Sequence, residues 1–318
     1  MKLSTTLCVL LAFASADAAA GAGATPAIFA PDRIAGLADD GAAASALAAA
    51  TAASPAAAGP WTLAHDASPA FTPDGDTVVF TRGRDADRHL VVAHRHGTAW
   101  STPAPAPFSN RWMDIEPAMA PDGSYLVFVS NRPAHGGGAA LDGQWGGKAW
   151  PGRGGNLWRV DRIGDDWSTP HRLPDAVNAD SSTFSPAVAS DGSVYFMRTD
   201  PASGAFRLYR SRFVRGGHTA AQPLALGGDA AHSDYDPALA PDASFLVFSS
   251  DRAPASPDGD HLYIAFATPG GWSTPRDLGV AGNEARLGAD HRTLYFDAAD
   301  QRIHRLPLAA WLPGRPAH

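Results

Sequence analysis

The sequence contains a single cysteine, Cys8, among its 318 residues. Residues 1–20 start with a short basic segment, continue with an apolar stretch at 7–14 and then offer small residues typical of a cleavage site. They are predicted to be a secretory signal peptide. Because Cys8 lies inside it, cleavage leaves no cysteine for disulfides or thiolate metal sites. We therefore expect a bacterial protein that is periplasmic or secreted.

Positive charge is also scarce, since the formal net charge is −7 and the pI is about 5.9. The sequence has no basic stripe, which argues against nucleic acid and anionic membrane surfaces as partners. No segment is apolar over a length that would span a bilayer. The nucleophile elbow, the zinc-protease helix, the phosphate loop and the sialidase-type Asp box are all missing. We expect no metal, no cofactor and a monomer.

A five-fold internal repeat is the strongest pattern in the chain. Each copy joins a short apolar stretch, a Pro-Asp-Gly turn or a worn version of it, and a β-branched or aromatic run. Three of the four intervals between copies are about 50 residues, a period typical of propeller blades. The copies begin at 68–75, 116–123, 185–192, 236–242 and 284–290.

Two further strands complete each unit. The third strand carries an aromatic or long aliphatic pair, as in Leu157-Trp158, and the fourth carries a Trp-Ser-Thr-Pro signature. That signature occurs at 100–103, 167–170 and 272–275, and the third unit is predicted to hold a degraded copy at 220–223. Proline in this strand indicates that it is the outer edge of the blade. The pattern predicts an all-β β-propeller of four-stranded blades over residues 61–310.

The fifth unit ends before a fourth strand appears. Residues 28–35 resemble the ends of the fourth strands, so we predict that they close the ring and give five blades. The alternative is a six-bladed propeller with a blade built from residues 26–64. In the five-bladed prediction, residues 21–60 hold the closing strand and an alanine-rich segment of low complexity.

The phrase Pro-Asp-Gly, Leu-Val-Phe and Ser-(Asn/Asp)-Arg is seen at 121–132 and, with Ala243 in place of the glycine, at 241–252. It resembles the WD-like "Pro-Asp" repeats of TolB and related bacterial secreted proteins. The resemblance covers roughly residues 61–308. It implies the propeller fold, and it leaves the function open because such repeats occur in transport accessories and in peptidases alike.

Acidic residues recur at one end of the hairpins, which we call the upper end of the propeller; the Asp-Gly turns lie at the lower end. In a closed ring these residues would surround one mouth of the central channel and attract a cation, an amine or a basic peptide. The alternative is a structural role, with bonds to backbone N–H groups or to Arg132 and Arg252. The candidate binding residues at this end are Asp66, Asp114, Glu116, Asp234, Asp236 and Glu284, together with Arg132 and Arg252.

The second unit carries a glycine-rich insertion at 133–155 with two tryptophans, Trp145 and Trp150. Exposed indoles would stack on sugar rings or grip a partner's side chain. The alternative is that they pack on the blade or cover the channel.

The sequence favours a non-enzymatic propeller that binds a protein, peptide or glycan. A polysaccharide hydrolase or lyase with two carboxylates and a structural envelope scaffold are the alternatives.

Overall fold

The protein is described by a computed structural model that covers residues 59–109, 111–135, 137–229, 231–254 and 259–312. Its strands form five antiparallel sheets arranged as blades, and two small hairpins lie outside them. Within the described part of the chain no helix has both the length and the apolarity needed to span a bilayer.

Each blade begins with the repeated phrase as a hairpin of two strands. Blade 1 contains β1 (Ala67–Phe71), β2 (Thr77–Arg82), β3 (His89–His96), β4 (Ala99–Trp100) and β5 (Ala104–Pro105). Blade 2 contains β6 (Asp114–Met119), β7 (Tyr125–Ser130), β10 (Asn156–Ile163), β11 (Asp166–Trp167) and β12 (His171–Arg172), with the hairpin β8 (Gly143–Trp145) and β9 (Lys148–Trp150) inserted.

The remaining blades follow the same plan. Blade 3 contains β13 (Thr183–Val188), β14 (Val194–Thr199), β15 (Phe206–Ser211) and β18 (Gln222–Pro223), with the hairpin β16 (Phe213–Val214) and β17 (Gly217–His218). Blade 4 contains β19 (Asp234–Leu239), β20 (Phe245–Ser250), β21 (His261–Thr268), β22 (Gly271–Trp272) and β23 (Arg276–Ala281). Blade 5 contains β24 (Asn283–Leu287), β25 (Thr293–Asp297) and β26 (Ile303–Pro307).

The first strand of every blade lies at the centre of the ring. These strands contact one another in the order β1, β6, β13, β19 and β24, and β24 contacts β1. No room is left between blade 5 and blade 1 for a sixth blade. The molecule is a five-bladed β-propeller, as predicted. The predicted closing strand at 28–35 lies outside the described residues.

The core lies between the blades. The second strands are almost continuously apolar and buried, as in Phe245–Ser250, because both faces of each sheet are covered by neighbouring blades. Buried clusters fill the interfaces between blades 1 and 2, 4 and 5, and 5 and 1, and one large cluster extends through blades 2, 3 and 4.

The fourth-strand signature of the third unit lies two residues earlier than predicted. The backbone N–H of Thr219 donates to the carbonyl oxygen of Arg212, and the backbone N–H of Arg212 donates to the hydroxyl oxygen of Thr219. Ser168 of the Trp-Ser-Thr-Pro signature makes the same pair of bonds with Asp161. The equivalent of Trp167 is therefore His218, and the prediction that placed the signature at 220–223 is wrong.

Candidate functional site

A backbone bulge places one side chain from each blade beside the channel axis. In all five innermost strands the pairing register shifts at the residue before the repeat's proline position. That residue has a left-handed φ of 48° to 54°, although it is never glycine. An unfavourable conformation kept at five equivalent positions must be held by its surroundings. The five residues are Ser68, Glu116, Ser185, Asp236 and Glu284.

Hydrogen bonds between blades hold these residues together. Glu116 accepts the backbone N–H of Ser185 at 2.6 Å, and Asp236 accepts the N–H of Glu284 at 2.8 Å. The hydroxyl of Ser68 donates to Glu284, so blades 1 and 5 are joined across the closure of the ring. We call Glu116, Asp236 and Glu284 the acidic ring. All three were predicted from sequence as site residues, and the structure brings their carboxylates together.

The acidic ring is almost entirely withdrawn from water. Glu116 is 1% exposed, Asp236 3% and Glu284 6%. Burial raises the pKa of Glu116 to about 8, with further contributions from the negative charges of Glu284 and Asp236. Burial, followed by the charge of Asp236, also raises the pKa of Glu284. One oxygen of Glu116, Oε1, has no hydrogen-bond partner within the described part of the chain.

Two further acids extend the negative region. Asp297 ends β25, is 9% exposed, and leaves Oδ1 without a hydrogen bond within the described residues. Its pKa is raised well above the ordinary value, first by burial and then by the charge of Glu284. Burial and the neighbouring charges of Asp251 and Asp236 raise the pKa of Asp260 to about 7.

Arg286 lies on the lower side of the acidic ring. It occupies the position that Ala118 and Ala238 hold in other blades, and its guanidinium spans the channel to donate to the hydroxyl of Ser185 at 3.0 Å. Arg286 is 5% exposed, and its charge lowers the pKa of Glu116 against the larger effect of burial. Arg88 acts electrostatically on Glu116 and Glu284.

Below Arg286 the channel narrows into a small apolar funnel of about 80 Å³. Its walls are proline and alanine side chains from the innermost strands, such as Pro117, Ala118, Pro237 and Ala238. The upper part of the channel is acidic, whereas the lower part is mainly apolar and is also lined by Arg286 and His291, so a cation is attracted more strongly from the upper end.

The other three predicted acids form ion pairs within their own blades. Asp66 pairs with Arg82, Asp114 with Arg132, and Asp234 with Arg252, each at 2.7 Å. The arginines also cover aromatic rings of the second and third strands; the Arg252 guanidinium carbon lies 5.1 Å from the ring centres of both Phe248 and Tyr263. At least one oxygen of each of these carboxylates is thus bonded to an arginine of its own blade, while Oδ2 of Asp114 is buried without a hydrogen bond within the described residues.

Trp145 and Trp150 lie in the inserted hairpin of β8 and β9. Their rings stack with centroids 5.6 Å apart and an interplanar angle of 11°. Trp145 is 6% exposed and packs edge-on against Phe184 of blade 3, while Trp150 is half-buried over it. The structure therefore packs the two indoles against the neighbouring blade.

Sequence reasoning did not identify Arg286, Arg88 or Asp297. Arg286 has a visible signal, because it breaks a column of alanines in the aligned repeats. Asp297 similarly stands where the other second strands have Thr81, Val129, Met197 and Ser249. Arg88 lies in the connection between β2 and β3, which does not repeat. Among the described residues, no group of three or more His, Asp or Glu side chains has an arrangement suited to a metal ion.

No protein-family model matches the chain, and no curated protein sequence matches it. Similar solved structures include TolB from Acinetobacter baumannii, with 14% identity and a TM-score of 0.47 over 76% of this chain and 54% of that chain. A putative TolB from Agrobacterium tumefaciens has 16% identity and a TM-score of 0.43, covering 78% of this chain and 93% of that one.

A gluconolactonase from Xanthomonas campestris has 14% identity and a TM-score of 0.44, covering 77% of this chain and 76% of that chain. The chain spans about half the length of the Acinetobacter TolB. These likenesses are too low to assign a family or an activity. The fold assignment therefore rests on the blade topology.

Proposed function

We propose that the protein is a non-enzymatic binding propeller, periplasmic or secreted, that takes a positively charged segment of a peptide or protein into the upper mouth of its channel. One observation carries the proposal. Three carboxyl groups from blades 2, 4 and 5 converge on the axis, and Glu116 Oε1 is buried there without a hydrogen bond. A buried acceptor without a partner is unfavourable unless a donor reaches it.

The electrostatics favour a cationic group as that donor. A bound cation favours the ionised form of the acids, and once all four are ionised, Glu116, Asp236, Glu284 and Asp297 outnumber the two nearby cations, Arg286 and Arg88. At an effective dielectric constant of about 20, a charge placed about 4 Å from one carboxylate gains about 4 kcal/mol before it loses its own hydration. A lysine or arginine side chain would thus convert the mutual repulsion of the acids into attraction.

The burial of the three carboxyl groups favours an extended side chain over a polysaccharide as the ligand. A glycoside hydrolase needs two carboxyl groups that flank a cleft wide enough for a sugar ring. Glu116 is only 1% exposed. An aliphatic stem that ends in a charge fits a narrow polar channel better. The same argument supports binding over hydrolysis, although the raised pKa of Glu116 would suit a general acid.

The test compares cationic and neutral ligands on matched variants. Fluorescein-labelled random nonapeptides with a central Lys or Arg, and otherwise identical pools with a central Gln, are titrated with the protein, and anisotropy is recorded. We expect the cationic pools to bind more tightly to the native protein, and the preference to fall about tenfold or more in Glu116→Gln.

Asp165→Asn is the matched control, because it removes one carboxylate from an exposed turn away from the channel. This variant should bind like the native protein. Equal affinity for cationic and neutral pools, or an equal loss of affinity in both variants, would overturn the proposal.

A further inference from the structure

Tryptophans of the fourth strands fill the lower layers of three blade interfaces, near the Asp-Gly turns. Trp167 of blade 2 packs edge-on against Phe108, with ring centres 5.5 Å apart, beside the cluster between blades 1 and 2. Trp272 of blade 4 packs against Tyr195 of blade 3 at 6.3 Å. Trp100 lies beside the cluster between blades 5 and 1. Each indole thus seals its blade against the preceding one.

Blade 3 has no such tryptophan. The bonds of Thr219 place His218 at the equivalent position, on β17 opposite Phe213. An imidazole is smaller than an indole, and the interface between blades 2 and 3 contains a cavity of about 400 Å³ lined by His218. This volume lies within the range of small-molecule sites in proteins, about 300–1,000 Å³. The cavity is therefore located where the missing indole would be.

Blade 2 supplies a flat cationic wall. The guanidinium carbon of Arg159 lies 3.7 Å from the ring centre of Tyr125, so the group covers that ring face to face. Nε and Nη2 of Arg159 donate to Asp161, and Nη1 donates to no group of the described residues. Arg159 and Tyr125 both line the cavity, and a guanidinium offers a planar surface on which an aromatic ring can stack.

Blade 3 supplies the polar edge and the rim. Nδ1 of His218 is buried and has no hydrogen-bond partner within the described residues. Burial, followed by the charge of Arg159, lowers the pKa of His218, so the ring is neutral and has one donor and one acceptor at pH 7. Phe213, 40% exposed, stands edge-on to this ring at 5.2 Å. The lining also includes the apolar side chains of Val127, Leu173 and Val194. Two carboxylates complete it: Asp122, which accepts hydrogen bonds from Ser124, and Asp191, which pairs with Arg210.

We propose that this inter-blade cavity binds a small planar aromatic or heteroaromatic molecule that stacks on Arg159, presents an acidic substituent to Nη1 of Arg159 and forms a hydrogen bond with His218. The site is separate from the acidic ring, since it opens between two blades and beside the Asp-Gly turns of both. It does not depend on the function proposed for the channel.

Indole-3-carboxylate and benzoate are suitable planar probes, and cyclohexanecarboxylate is the non-planar control of equal charge. Binding to the full chain is measured by isothermal titration calorimetry and by saturation-transfer NMR. We expect both planar acids to bind and cyclohexanecarboxylate to bind at least tenfold more weakly.

His218→Trp restores the indole that the other blades have, and should abolish binding while thermal stability is maintained. His96→Trp adds an indole to an exposed strand position and is the matched control. Arg159→Met retains an apolar side chain and should weaken binding about tenfold. This variant tests the site even if His218→Trp does not fold. Failure of both planar acids to bind, equal binding of cyclohexanecarboxylate, or unchanged binding in Arg159→Met would overturn the proposal.

Discussion

The burial of Glu116 predicts that the acidic ring weakens the fold at high pH. Its pKa rises from the ordinary 4.5 to about 8 in the folded protein. The folded state therefore holds a proton that the unfolded state releases between these two values, and the free energy of unfolding falls as the pH rises through this window. At 1.36 kcal/mol per pKa unit, the loss is at most about 5 kcal/mol and is complete above pH 8.

Glu116→Gln removes this charge and retains a carbonyl oxygen for the N–H of Ser185. At pH 5 the native side chain is protonated and resembles glutamine, so the two proteins should be equally stable. At pH 9 the variant should be more stable by about 2 kcal/mol or more, because it avoids a buried charge beside Glu284 and Asp236. Urea unfolding followed by tryptophan fluorescence at pH 5, 7 and 9 measures the difference.

Asp165→Asn provides the comparison for loss of one exposed carboxylate, and its stability should follow the native pH profile. The reasoning fails if Glu116→Gln is less stable than the native protein at pH 9. That result would mean that the ionised carboxylate stabilises the ring through bonds worth more than its repulsion. The reasoning also fails if the stability of Glu116→Gln falls with pH as steeply as that of the native protein.

Two further substitutions separate structural from binding roles. Asp114→Ala leaves Arg132 buried without its partner, and should lower the free energy of unfolding by about 3–5 kcal/mol in urea titrations; an unchanged midpoint would contradict the structural role of the pair. Trp145→Ala removes an indole packed on Phe184 and Trp150, and should cost about 3–5 kcal/mol by the same assay without changing the affinity for cationic peptides. Loss of peptide affinity at native stability would instead support the ligand-binding interpretation of this loop.

The repeat made the ring and the acidic residues predictable. A fixed interval between Pro-Asp-Gly turns requires equivalent residues to recur at equivalent radii, so the positions of Glu116, Asp236 and Glu284 follow from alignment alone. The left-handed bulge that turns them towards the axis has no such signal, because φ > 0 is disfavoured for each of these residue types.

Sequence could not separate the acids that face the axis from those that pair with arginine. Asp114 lies two residues before Glu116, yet its carboxylate meets Arg132 within its own blade while that of Glu116 meets the neighbouring blade. The difference depends on the bulge between them, which changes the direction of successive side chains.

The position of His218 was readable in principle. It follows Tyr209 at the same distance as Trp167 follows Trp158. Aligning Pro223 with the proline of the Trp-Ser-Thr-Pro signature placed the signature of the third unit at 220–223, so that His218 fell outside it. Hydrogen bonding by Thr219 shows that the hydroxyl, shared with Ser168 and Ser273, is the element of the signature that fixes this strand.

Proton release on ligand binding tests the role of the acidic ring most directly. A Lys- or Arg-containing peptide selected from the cationic pools is titrated into the protein at pH 7 by calorimetry in phosphate and in Tris, whose ionisation enthalpies differ. Because Glu116, with a pKa of about 8, is mainly protonated at this pH, a cation beside it should expel a substantial fraction of one proton, and Glu116→Gln should expel less. Binding enthalpies that are equal in the two buffers for the native protein would contradict a cation site at the acidic ring.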